Sequence, residues 1–331
     1  MSEPAWPAGA ATGIGSLPGT DAGEAVRLVF GELPDLPHLP ELPARGPGAS
    51  MVGRGAALLV DLPVELAATR WTLTGRPGRD LRRARDLLER DLDVLQAEAA
   101  GYAGVLKVQA AGPWTLAAGI ELASGHTVVS DPGAVRDLSA SLTEGLRLHL
   151  ADLARRVPGA TFVLQVDEPS LPAVLAGRIP TPSGYGTVRA VGAETVTRML
   201  RPVLEVAGHR VVHCCAPEVP VALLRDAGAD AVSLDASLLT AASYDALGEA
   251  VDAGTALWLG TVPAIDAPIS LDLSRSVIQE LWSALGFPLQ QAADVLVPTP
   301  ACGLAGASPR YARRALTVVR DTGRWLADES R

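Results

Sequence analysis

Alternation is what most constrains this chain. Short apolar runs lie at 12–14, 56–59, 104–108, 161–166, 211–214, 231–234, 256–259 and 295–297, and longer stretches of helical period separate them. Several runs are continuously apolar, as expected of parallel strands buried on both faces. Helical stretches fall at 79–100, 131–156, 193–206, 219–226, 243–253, 270–285 and 308–327. Leu81, Leu87, Leu88, Leu92 and Leu95 make one apolar stripe, and Val135, Leu138, Leu142, Leu146 and Leu153 another. Asp131-Pro132 and Ser308-Pro309 each supply a cap and a first-turn proline. Eight such units predict an α/β fold, a closed (β/α)8 TIM barrel forming one domain over residues 1–331. An open doubly wound sheet ranks second, since no Gly-x-Gly-x-x-Gly opens a helix after the first strand.

Two segments interrupt the pattern. Residues 33–48 carry prolines at 34, 37, 40, 43 and 47 and predict an extended, Pro-rich N-terminal excursion. Residues 177–186 read as a loop after the fourth strand. The 331 residues are 48% hydrophobic and 20% charged, enough for a large core and unlike a disordered chain. A net charge of −9 argues against a nucleic-acid partner. No apolar run is long enough for a bilayer, and residues 1–9 lack the basic and apolar parts of a signal peptide. The expectation is a cytoplasmic protein with neither membrane nor nucleic-acid partners. Lys107 is the sole lysine, which confines any Schiff-base chemistry to one position. Three cysteines, Cys214, Cys215 and Cys302, are an odd count that speaks against a disulfide framework.

Polar groups collect at the ends of the expected strands, where barrels of this kind place their chemistry. His213 and Cys215 are two apart on a strand, so they share a face while Cys214 points away. Imidazole and thiolate together suit Zn²⁺. Cys302 ends another strand, and Asp235, one β–α–β step beyond His213, is a candidate fourth ligand. Asp167 precedes Glu168-Pro169 and can face a ligand amine. Trp114, in Gly112-Pro113-Trp114-Thr115, is a candidate aromatic wall over the pocket. Glu41 and Arg45 lie in the Pro-rich segment, within reach of the mouth. Plainer readings exist for each: a free cysteine is often a small buried hydrophobe, Asp167 can cap a turn, and Trp114 can pack. His38, His126, His149 and His209 read as surface or satisfied histidines.

Together these motifs resemble the catalytic half of cobalamin-independent methionine synthase, within the uroporphyrinogen-decarboxylase-like barrels. The resemblance rests on five segments in order: Ile14-Gly15-Ser16-Leu17-Pro18, Gly112-Pro113-Trp114-Thr115, Gln165-Val166-Asp167-Glu168-Pro169, His213-Cys214-Cys215 and Cys302-Gly303-Leu304. It implies methyl transfer to the thiol of homocysteine, with zinc held by His213, Cys215 and Cys302. It also implies that Asp167 holds the substrate amine, Ser16 the substrate carboxylate through its backbone, and Glu41 the amine a second time. Asp235 stands where the family has a glutamate ligand, one methylene longer. No histidine occurs at 260–266, where the family carries a proton donor, and Ala173 stands at a folate-contacting glutamate position. The donor is thus left open between a folate and a methylcorrinoid protein. The alternatives are a uroporphyrinogen-decarboxylase-like lyase and a non-catalytic zinc or corrinoid-partner protein.

Overall fold

The structure, a computed structural model, describes residues 6–330. The first five residues of the segment read for a signal peptide lie outside it. Among the described residues there are nine strands: β1 (Val64–Ala67), β2 (Arg70–Leu73), β3 (Gly104–Ala111), β4 (Ile120–Glu121), β5 (Ala160–Asp167), β6 (His209–Cys214), β7 (Ala231–Asp235), β8 (Ala256–Val262) and β9 (Leu296–Pro300). Six of them form one parallel sheet in the order β3-β5-β6-β7-β8-β9. Helices Pro132–Arg156, Ala193–Leu204, Val221–Asp226, Ala241–Asp252 and Leu271–Leu285 return the chain between successive strands, and Pro309–Glu329 follows the last. The sequence reading located all six strands. Because they are parallel, their carboxyl ends share one edge.

The other two expected strands are not regular strands. Residues 56–58 belong to a helix, Met51–Leu58, with Leu59 its C-cap, and its start is capped by Ser50 Oγ, which accepts from the Gly53 N–H at 3.3 Å. An apolar run this short does not distinguish a strand from a buried helix face. Gly55 lets that helix approach closely: a Cβ there would come within 2.7 Å of Leu116 Cδ2. Residues 12–14 are irregular, though Thr12 N–H donates to Pro298 O of β9 at 3.3 Å.

The proline-rich segment is corrected most. It does not leave the sheet but runs beside β3, with His38 and Lys107 bridged in parallel. Leu39 N–H donates to Lys107 O, and Lys107 N–H to Pro37 O, both at 2.9 Å. Further on, Ser16 and Glu41 are bridged in parallel, with Glu41 N–H donating to Gly15 O at 3.0 Å. Prolines at 37 and 40 have no N–H to give, so the segment makes bridges instead of a continuous ladder. A small sheet of order β1-β2-β4 was not foreseen.

Period two along the strands sorts the sheet's concave face into layers. Val163, Val211, Ala231, Ala256, Trp258 and Val297 make an apolar floor, with Trp6 edge-to-face against Trp258 at 5.1 Å. Two residues further along β3, β5, β6 and β7 come Lys107, Gln165, His213 and Ser233, all buried, whereas at that level β8 and β9 present Trp258 and Val297. Two further again come Gln109, Asp167, Cys215 and Asp235. Polarity thus rises toward the carboxyl edge. Among the described residues no helix is long and apolar enough to cross a membrane.

Candidate active site

Cys215, His213 and Cys302 converge at the carboxyl edge, their ligand atoms all within 4.8 Å of one another. Strand register explains the first two: His213 of β6 pairs with Ser233 of β7, and Cys215 follows on the same face. Cys302 arrives from beyond the end of β9, whose ladder to β8 shifts register between Gly260 and Val262. Gly260 permits this, because a Cβ there would meet Ala301 Cα at 2.5 Å. Cys214 is fully buried on the opposite face, as the strand parity predicted.

The donor set fits a metal ion. His213 Nδ1 lies 2.9 Å from Ser233 Oγ, while its Nε2 is buried with no hydrogen-bond partner. A buried polar atom left unpaired is costly, so one beside two thiols points to a ligand. The sulfurs of Cys215 and Cys302 are 2.7 Å apart and both cysteines are free. The Cys215 contact draws Cys302 down to about 4 against the effect of burial, with His213 assisting, and the same contact pushes Cys215 up. Burial pushes Cys214 up to about 12, away from thiolate chemistry.

Asp235 does not join the cluster. Its Oδ1 accepts from Ser237 N–H at 2.9 Å and Ser237 Oγ at 2.7 Å, capping the short turn after β7. An aspartate at a turn bonds its own backbone two residues on, and this competes with reaching inward. Asp235 instead lines the rim of a cavity of about 670 Å³ that opens beside Cys215 and Cys302. Its wall is largely apolar, with Leu239, Tyr244, Ile269, Leu273 and Val277.

Asp167 ends β5 beside its register partner His213. Its Oδ1 accepts from Gln165 Nε2 at 2.7 Å. Burial pushes its carboxyl up to about 7, and Glu41 adds to the shift, while His213, Lys107 and Gln165 oppose it. Glu41 reaches the same edge, where its Oε1 accepts from Gln109 Nε2 at 3.2 Å and pairs with Arg54 Nε at 3.3 Å. Arg45 is drawn away from the mouth to Asp91, at 2.6 and 2.7 Å. Ser16 sits against the cysteine loop: Leu304 N–H donates to its carbonyl at 2.7 Å, and a Cβ on Gly303 would come within 2.1 Å of its Oγ.

Trp114 is not a wall of this cavity. It is 1% exposed, its indole N–H donates to Val196 O at 3.3 Å, and it packs in the helix layer. The helix Pro113–Gly119 turns it outward. The sequence reading missed why that helix starts there: buried Glu168 accepts from Trp114 N–H (2.9 Å), Thr115 N–H (2.7 Å) and Thr115 Oγ1 (2.8 Å). A carboxylate at a helix N-terminus satisfies its unpaired donors and its dipole. Gly112 makes the approach possible, since a Cβ there would lie 2.3 Å from Glu168 Oε1. His38 and His149 are interior, whereas His126 is exposed and His209 half-buried.

Residues 9–324 match the family described as cobalamin-independent synthase, catalytic domain. No curated protein matches the chain. Among solved structures, a B12-independent methionine synthase from Shewanella sp. W3-18-1 in complex with selenomethionine is similar in fold. It aligns over 97% of this chain and 98% of its own, at 13% identity and a TM-score of 0.60. A β-glucosidase from Thermotoga maritima in complex with cyclophellitol aligns over 93% and 86%, at 11% identity and a TM-score of 0.32. With nearly the whole chain matched, this protein belongs to the cobalamin-independent synthase catalytic-domain family and is an enzyme of the methyltransferase type.

Proposed function

We propose that the protein is a zinc-dependent methyltransferase that moves a methyl group to the thiol of homocysteine, giving methionine. The observation that carries this reading is the buried, unpartnered His213 Nε2 beside the Cys215 and Cys302 sulfurs. A single barrel over residues 1–331 is the matching architecture, with 12–16 and 37–41 as the two staves that complete the six-stranded sheet.

In this reading His213, Cys215 and Cys302 would hold zinc, with Asp235 turned to its own backbone and the substrate thiol received beside them. Bound zinc would lower the pKa of a thiol and keep it deprotonated near neutral pH. Asp167 and Glu41 receive the substrate ammonium at the same edge. Ser16 offers its backbone to the carboxylate. The apolar cavity beside the thiols keeps water from the reacting sulfur and admits the methyl donor. It has no Lys or Arg among its lining residues, so it offers no partner to a polyanionic tail. That favours the methylcorrinoid donor over the polyglutamyl folate. The same lack of arginine leaves the tetrapyrrole lyase without its carboxylate-binding groups.

The test is metal analysis together with a transfer assay. Protein purified without chelator should hold about one zinc per chain. With homocysteine and methylcobalamin it should form methionine. Absence of zinc would overturn the metal reading. Zinc without transfer from any one-carbon donor would leave the non-catalytic zinc protein in its place.

A further inference from the structure

Lys107 is the sole lysine and is fully buried on the concave face of the sheet. A buried ammonium is tolerated only when its protons find acceptors. Three acceptors surround Nζ: Ile14 O at 2.7 Å, Gln165 Oε1 at 2.7 Å and Gln109 Oε1 at 3.3 Å. Gln109 and Gln165 are register partners on β3 and β5, so one ammonium spans both.

Counting donors then orients the two amides. Gln165 Nε2 faces Ile14 O at 2.8 Å and Asp167 Oδ1 at 2.7 Å. Gln109 Nε2 faces Leu39 O at 2.7 Å and Glu41 Oε1 at 3.2 Å. A main-chain carbonyl only accepts, so in each glutamine the nitrogen must point that way and the oxygen toward Lys107. Each glutamine therefore carries a donor upward to one carboxylate at the strand ends. Without Lys107 both amide oxygens would be buried with no donor, and the side chains would turn to find one.

We propose that Lys107 is a positioning residue that, by holding Gln109 and Gln165 from beneath, sets Glu41 and Asp167 as a matched pair of carboxylates for the ammonium group of the amino-acid substrate. One oxygen of each is engaged by its glutamine, which leaves the other for the substrate. Lys107 below and Arg54 beside Glu41 offset the repulsion between the two like charges. The proposal rests on the reading of homocysteine as substrate.

The test compares two thiols on zinc-loaded protein by isothermal titration calorimetry at one pH. Homocysteine carries the amine; 4-sulfanylbutanoate has the same thiol and carboxylate without it. Wild type should prefer homocysteine by about tenfold or more, the scale of a desolvated charge pair. Lys107→Met, close in length and uncharged, should reduce that preference to about twofold or less. Its affinity for 4-sulfanylbutanoate and its zinc content should stay unchanged. Gln165→Leu and Gln109→Leu each remove one arm and should each lose part of the preference, which keeps the test alive if Lys107→Met does not fold. A preference that survives these substitutions overturns the proposal alone. Equal weakening of both thiols shows a structural role and overturns it too. A wild type without preference overturns the substrate reading and the proposal together.

Discussion

Ser233→Ala tests the metal centre through a residue that need not touch the ion. Ser233 is fully buried, and its Oγ is 2.9 Å from His213 Nδ1. With Nε2 left for a metal, Nδ1 carries the proton and donates to Ser233 Oγ. That bond fixes both tautomer and ring orientation. Removing such a partner typically weakens metal binding by about 10–100-fold, or roughly 1.4–2.7 kcal/mol. The fold should feel it as well, since a buried Nδ1–H without an acceptor costs about 1–3 kcal/mol. At roughly 2 cal/mol/K per residue of unfolding entropy, that shifts Tm by about 1–4 °C in a chain of 331 residues. Zinc-loaded protein is titrated with a competing chelator and the released zinc is followed by a colorimetric dye. Zinc affinity within about twofold of wild type, while Tm falls as expected, would refute the orientation argument and with it His213 as a ligand.

Cysteine parity gives a paired prediction. Cys302→Ser should lose most of the zinc, whereas Cys214→Ser, on the opposite face, should keep it, as read by metal content per chain. Glu168→Gln places an NH₂ where backbone donors converge, leaving at least one without an acceptor. A loss of about 1–3 kcal/mol is expected, seen as a Tm lower by roughly 1–4 °C. His149 is buried, and desolvation, with Arg54 adding, holds it down to about 4. Its folded value lies below the unfolded value of about 6.5, so it contributes stability above that pH and loses it as pH falls toward 4. Relative to His149→Gln, wild type should lose about 2.5 kcal/mol between pH 7.5 and pH 4.5 in urea titrations. A pH-independent difference would refute it.

The fold was legible where the pattern was strong. Continuous apolar runs flanked by long amphipathic helices located all six strands of the main sheet. Beside the irregular stretch at 12–14, two readings failed for local reasons. The run at 56–59 was too short to separate a strand from a helix face, and Ser50 capped it as a helix. The prolines of 33–48 suggested departure from the sheet, yet Leu39 still had an N–H to give to β3 and Glu41 one to give to Gly15. At the site, His213 and Cys215 followed from strand parity. Trp114 and Asp235 did not: Trp114 lies just past β3, where helix packing takes the side chain, and Asp235 is the last residue of β7, where the turn's own backbone takes it. Glu168 was missed because the backbone donors it accepts from, Trp114 and Thr115, lie 54 and 53 residues away in sequence.

By itself the sequence determined direction and parity. Period two and period 3.6 are local properties, and they decide which side chains share a face before any contact forms. Tertiary structure decided what meets what. Cys302 lies 87 residues from Cys215 in the chain, and only the parallel ladder and the close approach at Gly260 bring their sulfurs together. The lone lysine is the same case. Its charge is written in the sequence, and strand parity alone sets Gln109 beside it on β3, but Ile14 and Gln165 lie on other stretches of chain that only the pairing of the backbone makes neighbours.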